Sequence, residues 1–422
     1  MTARPPEGPD RLRVALVVPG GVDESGERRV IPVLLAFIER LSRRHEVRVY
    51  ALGQYEEPRE YGLLGARVVN LGRPRSLRAL PGRTLLWHYL ALGRALGRWR
   101  PDVAHAFWGT DTGWLATAVA GRLGAPSVVS LAGGELVGLP EIGYGAQLSR
   151  RTRFLVAGAL RRATVVTCAS GPMLEAVKAH GRVAHRVTLG VPLPDASRAA
   201  PTRGAIRTAP GAPLPHAPEV SRPTEGASRH APPRLLFVGT LNRVKDPFTL
   251  LAAMRLIVDD EPTARLDVVG EDILGGAVQR RAAELGLGAN VTFHGFLTQA
   301  ELAPLYRDAD LLLVTSRHEA GQVVSLEAAG WGVPSVGSHV GHMVDGAGVW
   351  AETVPPGDAP ALAAAVLSLL RDPERRARLG RAAREWARTN DADATAARFE
   401  ELYAELVGAH RRGTGGTGRR GW

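Results

Sequence analysis

A chain of 422 residues with 45% hydrophobic and 23% charged side chains exceeds one ordinary domain and carries apolar material for two cores. Its one cysteine, Cys168, excludes an internal disulfide and a cysteine-rich metal site, and no run of about 18 apolar residues is present to cross a membrane. The formal charge of +11 gathers in residues 196–234 (six Arg, two Glu) and 409–422 (four Arg, no acid), so the rest is mildly basic and no nucleic-acid partner is expected.

Met1–Asp10 is Pro-rich and acidic, unlike a signal peptide, and the expectation is a cytoplasmic protein. Arg13–Val18 reads as a buried strand, followed by Gly20-Gly21 and a helix over about Glu27–Arg44. Val30, Leu34, Phe37, Ile38 and Leu41 would form that helix's buried face. Further strands are predicted at Val47–Ala51, Ala66–Asn70, Val103–Phe107, Ser127–Leu131 and Thr164–Cys168, with Cys168 a small core residue. Arg73–Arg100 interleaves seven Arg with Leu77, Leu80, Leu85, Leu86, Trp87, Leu90 and Trp99. It reads either as a core-facing helix with a solvated Arg face or as a peripheral contact with the anionic inner membrane face.

Residues 196–233 hold eight of the thirty prolines and no periodic apolar face, the composition of a disordered linker. Order returns at Arg234–Val238, with strands at Arg265–Val269, Val291–His294, Asp310–Val314 and Pro334–Val336. Helices are predicted over Pro247–Val258, Ala277–Leu285, Gln299–Tyr306 and Gln322–Gly330, then near Ala359–Leu370, Pro373–Arg388 and Ala392–Val407. Strands alternating with helices mean parallel sheets covered on both faces. The expected fold is therefore α/β: two Rossmann-like, doubly wound parallel-sheet domains facing a cleft. Their bounds are 1–195 and 234–390, with a linker at 196–233, a terminal helix at 391–408 and a disordered basic tail at 409–422.

The strongest chemical signal is Glu319-Ala-Gly-Gln-Val-Val-Ser-Leu-Glu327, followed by Ala-Ala-Gly-Trp-Gly-Val-Pro334. Two carboxylates eight residues apart straddle a strand-to-helix junction, where exposed first-turn amides favour an anion. A carboxylate accepts two hydroxyl hydrogen bonds, which suits the vicinal diols of ribose and hexose rings. Asp308-x-Asp310 has the spelling of a metal-holding pair but sits in a helix-to-strand turn, so no metal site and no cofactor are expected.

The Glu-x7-Glu pattern with EAAGWGVP resembles the donor-site signature of the GT-B glycosyltransferases, specifically the retaining family 4. Leu236-Phe-Val-Gly239 with Lys245, Val291-Thr-Phe293-His-Gly295 and Arg307-Asp-Ala-Asp310 resemble other family segments, as does Val340–Asp345, where the family has Gly-Gly-x-x-Glu. The resemblance is strong over 234–405 and weaker over 12–195. It implies transfer of a hexose from a nucleoside-diphosphate sugar to a hydroxyl acceptor (glycan, lipid-linked or small molecule), with retained anomeric configuration and no metal. It also implies that the last helix packs back on the first domain.

By the same resemblance Lys245 neutralises the donor's diphosphate, Glu327 binds the ribose and Glu319 holds a hydroxyl of the transferred sugar. Gly239, Phe293, the amides of Gln322 and Val323, and the Gly20-Gly21 turn complete the donor set. Two departures stand out. Thr240 replaces the usual Arg, with Arg243 as the candidate substitute cation. Ala132 replaces a His on the acceptor side, with catalytic His105 and acceptor-side Asp111 as candidate substitutes, while Glu135 keeps an acidic position. These departures leave a silent sugar-nucleotide-binding protein open as an alternative; a nucleotide-sugar epimerase of the same fold is another, which the Glu-x7-Glu signature disfavours.

Overall fold

The computed structural model describes residues 11–72, 81–194 and 232–415. The first domain runs β1 (Arg13–Val18), α1 (Pro32–Arg44), β2 (Glu46–Ala51), β3 (Arg59–Leu63), β4 (Ala66–Asn70), α2 (Pro81–Trp99), β5 (Val103–Phe107) and α3 (Asp111–Leu123). It continues with β6 (Ser127–Leu131), α4 (Arg150–Arg162), β7 (Val165–Cys168), α5 (Gly171–Ala179) and β8 (Ala184–Arg186). The second begins with β9 (Arg234–Val238), α6 (Pro247–Asp260), β10 (Arg265–Val269), α7 (Ala277–Glu284), β11 (Val291–Gly295), α8 (Gln299–Asp308) and β12 (Leu311–Val314). It closes with α9 (Val323–Gly330), β13 (Ser335–Ser338), α10 (His342–Gly346), β14 (Ala351–Val354), α11 (Ala359–Arg371) and α12 (Pro373–Thr389), before α13 (Ala392–Gly415).

The sheets are ordered β3-β4-β2-β1-β5-β6-β7-β8 and β11-β10-β9-β12-β13-β14. Every pairing is parallel except β3 with β4, which confirms two doubly wound α/β units. Chain order reverses between β1 and β5 in one sheet and between β9 and β12 in the other. Beyond the carboxyl ends of these strands lie the crevices where such sheets take ligands. The loops there meet: Ser170, after β7, donates to the Ala320 carbonyl at 2.6 Å.

Helix α13 crosses from the second domain to the first. Thr395 donates to the Thr188 carbonyl and accepts from the Gly190 amide, both at 2.8 Å. Phe399 and Tyr403 are buried beside Phe37 and Phe107 in the first core.

Three expectations change. Helix α1 starts at Pro32 rather than near Glu27, because Val22 and Val30 form an antiparallel bridge and Pro suits only a first turn. The antiparallel edge strand β3 was absent from the predicted elements; its turn, Leu64-Gly65, has positive φ at both residues, as tight hairpins require. Helix α13 runs on to Gly415, past the expected end at Val407. The linker reading falls almost wholly on 195–231, outside the described residues, as do 416–422 of the tail and 73–80 of the Arg-rich stretch.

Candidate active site

Lys245 sits in the β9–α6 loop, and that loop is fastened on several sides. Its own amide donates to the Asn242 side chain at 2.9 Å, and its carbonyl accepts from Thr315 at 2.8 Å. Asp246, in the left-handed region at φ 46°, caps α6 through the Thr249 amide and holds the Arg317 guanidinium at 2.6 Å. These bonds tie the loop to the one after β12. There the Lys245 ammonium meets the Glu319 carboxylate at 2.5 Å, and Ser316 donates to the same oxygen at 2.7 Å.

Glu327 lies on α9, where burial raises its proton affinity against the pull of two donors. The Tyr306 hydroxyl donates to one oxygen at 2.6 Å and Gln299 to the other at 2.9 Å. Between the two acids, Gln322 occupies the position before α9, yet its buried side chain caps no α9 amide. It accepts from the His342 amide at 2.7 Å and donates to the Val340 carbonyl at 3.2 Å. The first-turn amides at Val323 therefore keep their capacity for an anion. Gly341 makes this packing feasible: with φ at 52°, a Cβ there would stand 2.5 Å from the Gln322 oxygen and 2.8 Å from the Glu319 Cβ.

Gly239 ends β9 against the Lys245 stem, and Gly20-Gly21 follows β1 at the facing switch point. Arg243 is exposed and makes no hydrogen bond or ion pair to another described residue. Phe293 is half-buried, on the same side of β11 as Val291, and packs on the second domain's apolar cluster. The exposed aromatic at this strand end is Phe296, 51% accessible.

On the acceptor side the structure overturns two roles. His105 is wholly buried, stacked on Phe107 at 4.4 Å, with its ring nitrogens bonded to the Tyr403 hydroxyl at 2.5 Å and to Ser130 at 2.7 Å. Burial pushes its pKa down to about 3, so it is a neutral tie between β5, β6 and α13 and meets no substrate. Glu135 is also buried: it accepts from the amides of Gly109, Ala132 and Gly133 at 3.2, 3.1 and 2.7 Å. It organises the loop after β6 instead of facing an acceptor. Asp111, at the start of α3, is ion-paired with Arg151 at 2.5 Å. Asp308 and Asp310 lie before β12, at the far end from the crevice, paired with Arg234 and Arg376.

The crevice gains a residue that the sequence reading left out. His318 crosses to the first domain, its Nε2 3.5 Å from the Gly133 carbonyl oxygen. Tyr144 lies beside it, its pKa pushed up to about 12 by burial, with the Glu319 and Glu135 carboxylates adding to the rise. Adjacency to the signature acid was the available signal for His318.

Two family models match this chain: Glycosyl transferase 4-like domain over residues 30–192, and Glycosyl transferases group 1 over residues 223–386. The chain belongs to the group 1, family 4-like glycosyltransferases. A D-inositol 3-phosphate glycosyltransferase of Thermomonospora curvata is 38% identical over 185 residues, 40% of this chain and 42% of that protein. The chain thus matches less than half the length of that relative. Among solved structures, sucrose-phosphate synthase from Thermosynechococcus elongatus superposes with a TM-score of 0.71 at 21% identity, covering 94% of this chain and all of that one. Anabaena HepE in complex with UDP and glucose gives 0.66 at 16% identity, covering 94% and 100%. These likenesses establish the GT-B fold.

Against the glycosyltransferase pattern, Thr240 is exposed in the loop that carries Lys245, with Arg243 three residues on. Ala132 offers a methyl group in a wall otherwise made of Gly133 and Gly134. Among the described residues of this glycosyltransferase, no helix is long and apolar enough to cross a membrane.

Proposed function

We propose that this glycosyltransferase moves a hexose from a nucleoside-diphosphate sugar to a hydroxyl acceptor, with retention and without a metal. The observation that carries the reading is the Lys245–Glu319 pair at 2.5 Å beside the uncapped start of α9, with Glu327 about one helical turn further along the same helix. In this reading Glu319 exchanges Lys245 for a sugar hydroxyl, and the ammonium turns to the diphosphate. Glu327 exchanges Gln299 or Tyr306 for the ribose diol. Breaking the sugar–phosphate bond leaves charge on the diphosphate, and a preorganised ammonium and helix amides stabilise that charge without a divalent ion. The departing phosphate oxygen takes the acceptor's proton on the same face of the sugar, which preserves the anomeric configuration. Closure of the two domains excludes water and favours transfer over hydrolysis.

The first domain supports a lipid-linked acceptor. Helix α2 exposes Leu86 and Leu90 with Arg94 and Arg98 on the same element, which suits a peripheral approach to anionic lipid and a lipid-linked hydroxyl. A thermal-shift panel of UDP-, GDP- and ADP-sugars tests the donor reading: the true donor stabilises in proportion to the logarithm of its concentration. Nucleotide release in the presence of an acceptor tests transfer. A donor that binds and is never turned over makes the protein a silent binder.

A further inference from the structure

We propose that His318 positions the acceptor hydroxyl, an assignment that rests on the transferase reading. His318 and Glu319 are adjacent in the loop after β12 but serve opposite walls. Glu319 turns inward to Lys245 and Ser316, while the His318 imidazole reaches the other domain beside Gly133 and Tyr144.

The first-domain wall is poor in side-chain chemistry here. Ala132, Gly133 and Gly134 carry no polar side chain, and the amides of Ala132 and Gly133 are committed to Glu135. The wall is also tight, since a Cβ on Gly134 would stand 2.7 Å from the Tyr144 ring. What it turns toward the second domain is the Gly133 carbonyl. The bond from His318 to that oxygen is 3.5 Å, at the outer limit of a hydrogen bond and longer than the contacts around it.

An acceptor hydroxyl entering between the two groups accepts from the His318 Nε2–H and donates to the Gly133 carbonyl. One long contact is then replaced by two short bonds. The oxygen is held next to Glu319, on which the transferred sugar is anchored. As the sugar–phosphate bond breaks and the hydroxyl oxygen bonds the sugar carbon, the O–H turns from the Gly133 carbonyl to the departing phosphate oxygen and leaves its proton there; His318 gains none. The imidazole is supplied by the donor domain, so the acceptor seat is complete when the domains meet.

The test compares H318A and H318Q in the full chain, using the donor that the thermal-shift panel selects and, as acceptor probes, D-inositol 3-phosphate, a prenyl-diphosphate-linked sugar in detergent micelles, and water. H318A should leave donor affinity within about twofold and lower transfer by about 30-fold, the worth of one good hydrogen bond to a reacting group. H318Q, whose amide N–H reaches the place of Nε2, should recover about tenfold of that loss. Transfer by H318A within about threefold of wild type overturns the assignment, and so does a fall in donor affinity that matches the fall in transfer. A wild-type protein that binds donor and releases nucleotide to none of these probes, the lipid-linked one included, sinks the transferase reading, and the assignment with it.

Discussion

The Lys245 ammonium and the Glu319 carboxylate hold one another at 2.5 Å between the carboxyl ends of β9 and β12, so each neutralises the other within the crevice. Both side chains are largely covered, at 23% and 13% accessibility. A diphosphate must take the ammonium away from an internal competitor, and a sugar hydroxyl must compensate the carboxylate left behind.

E319Q separates those events. With the competitor neutral, UDP alone should bind about fivefold more tightly, while sugar transfer falls by about a hundredfold. K245M should weaken UDP binding by about 50-fold. Titration calorimetry with UDP and initial rates with the donor sugar measure the two effects, and weaker UDP binding by E319Q would contradict the competition.

Glu327 trades stability for binding. Burial raises its proton affinity above that of an exposed glutamate, despite the bonds from Tyr306 and Gln299. A raised carboxylate pKa means the folded state gains from protonation, and that gain is lost as pH rises through the folded value. E327Q, which stays neutral, should therefore melt about 2 °C above wild type near pH 8, with the gap closing toward pH 4. Donor affinity should fall about tenfold in the same variant. A melting gap that widens on acidification would refute the sign.

His105 yields an acid-stability prediction. Its pKa is driven from 6.5 down to about 3 by burial, so the folded state refuses a proton that the unfolded chain accepts. The stability present above pH 6.5 is lost as pH falls toward 3, at about 1.4 kcal/mol per pH unit for each such histidine. His342, also pushed down to about 3, adds a second such contribution. H105N should melt lower at neutral pH, because Tyr403 and Ser130 lose their partner, yet show an acid slope shallower by one proton. Donor affinity should be unchanged; a selective loss of transfer by folded H105N would restore the residue to the chemistry.

Asp345 clasps the domains. Its carboxylate accepts from Arg186 at 2.7 Å and from the Gly171 amide at 3.1 Å, both in the first domain. D345A should open the crevice, enlarging the radius of gyration by about 1 Å in small-angle scattering. Identical scattering curves for wild type and D345A would assign closure to α13 and the Ser170–Ala320 bond alone.

The alternation of apolar strands with helices made both sheets legible, because buried parallel strands are continuous apolar runs. The edge strand β3 escaped, since it is polar on its exposed side and reads like a loop. Helix α1 was drawn too early because Val30 continues its apolar spacing by coincidence, whereas the Val22–Val30 bridge is tertiary. The pair Glu319 and Lys245 was nameable from motif spacing, but their bond joins residues 74 apart. His105 shows the limit most sharply: its partner Tyr403 stands 298 residues away, and local sequence does not distinguish a strand-end base from a satisfied core histidine.

The return of α13 has a consequence for synthesis. Phe399, Leu402, Tyr403 and Val407 fill the interior of the amino-terminal unit, so that unit waits on residues translated after every other element. The later-made half has an interior that needs nothing from α13, whereas the earlier-made half keeps an apolar gap wherever that helix is not docked. The unit that begins the chain is completed by its last described helix.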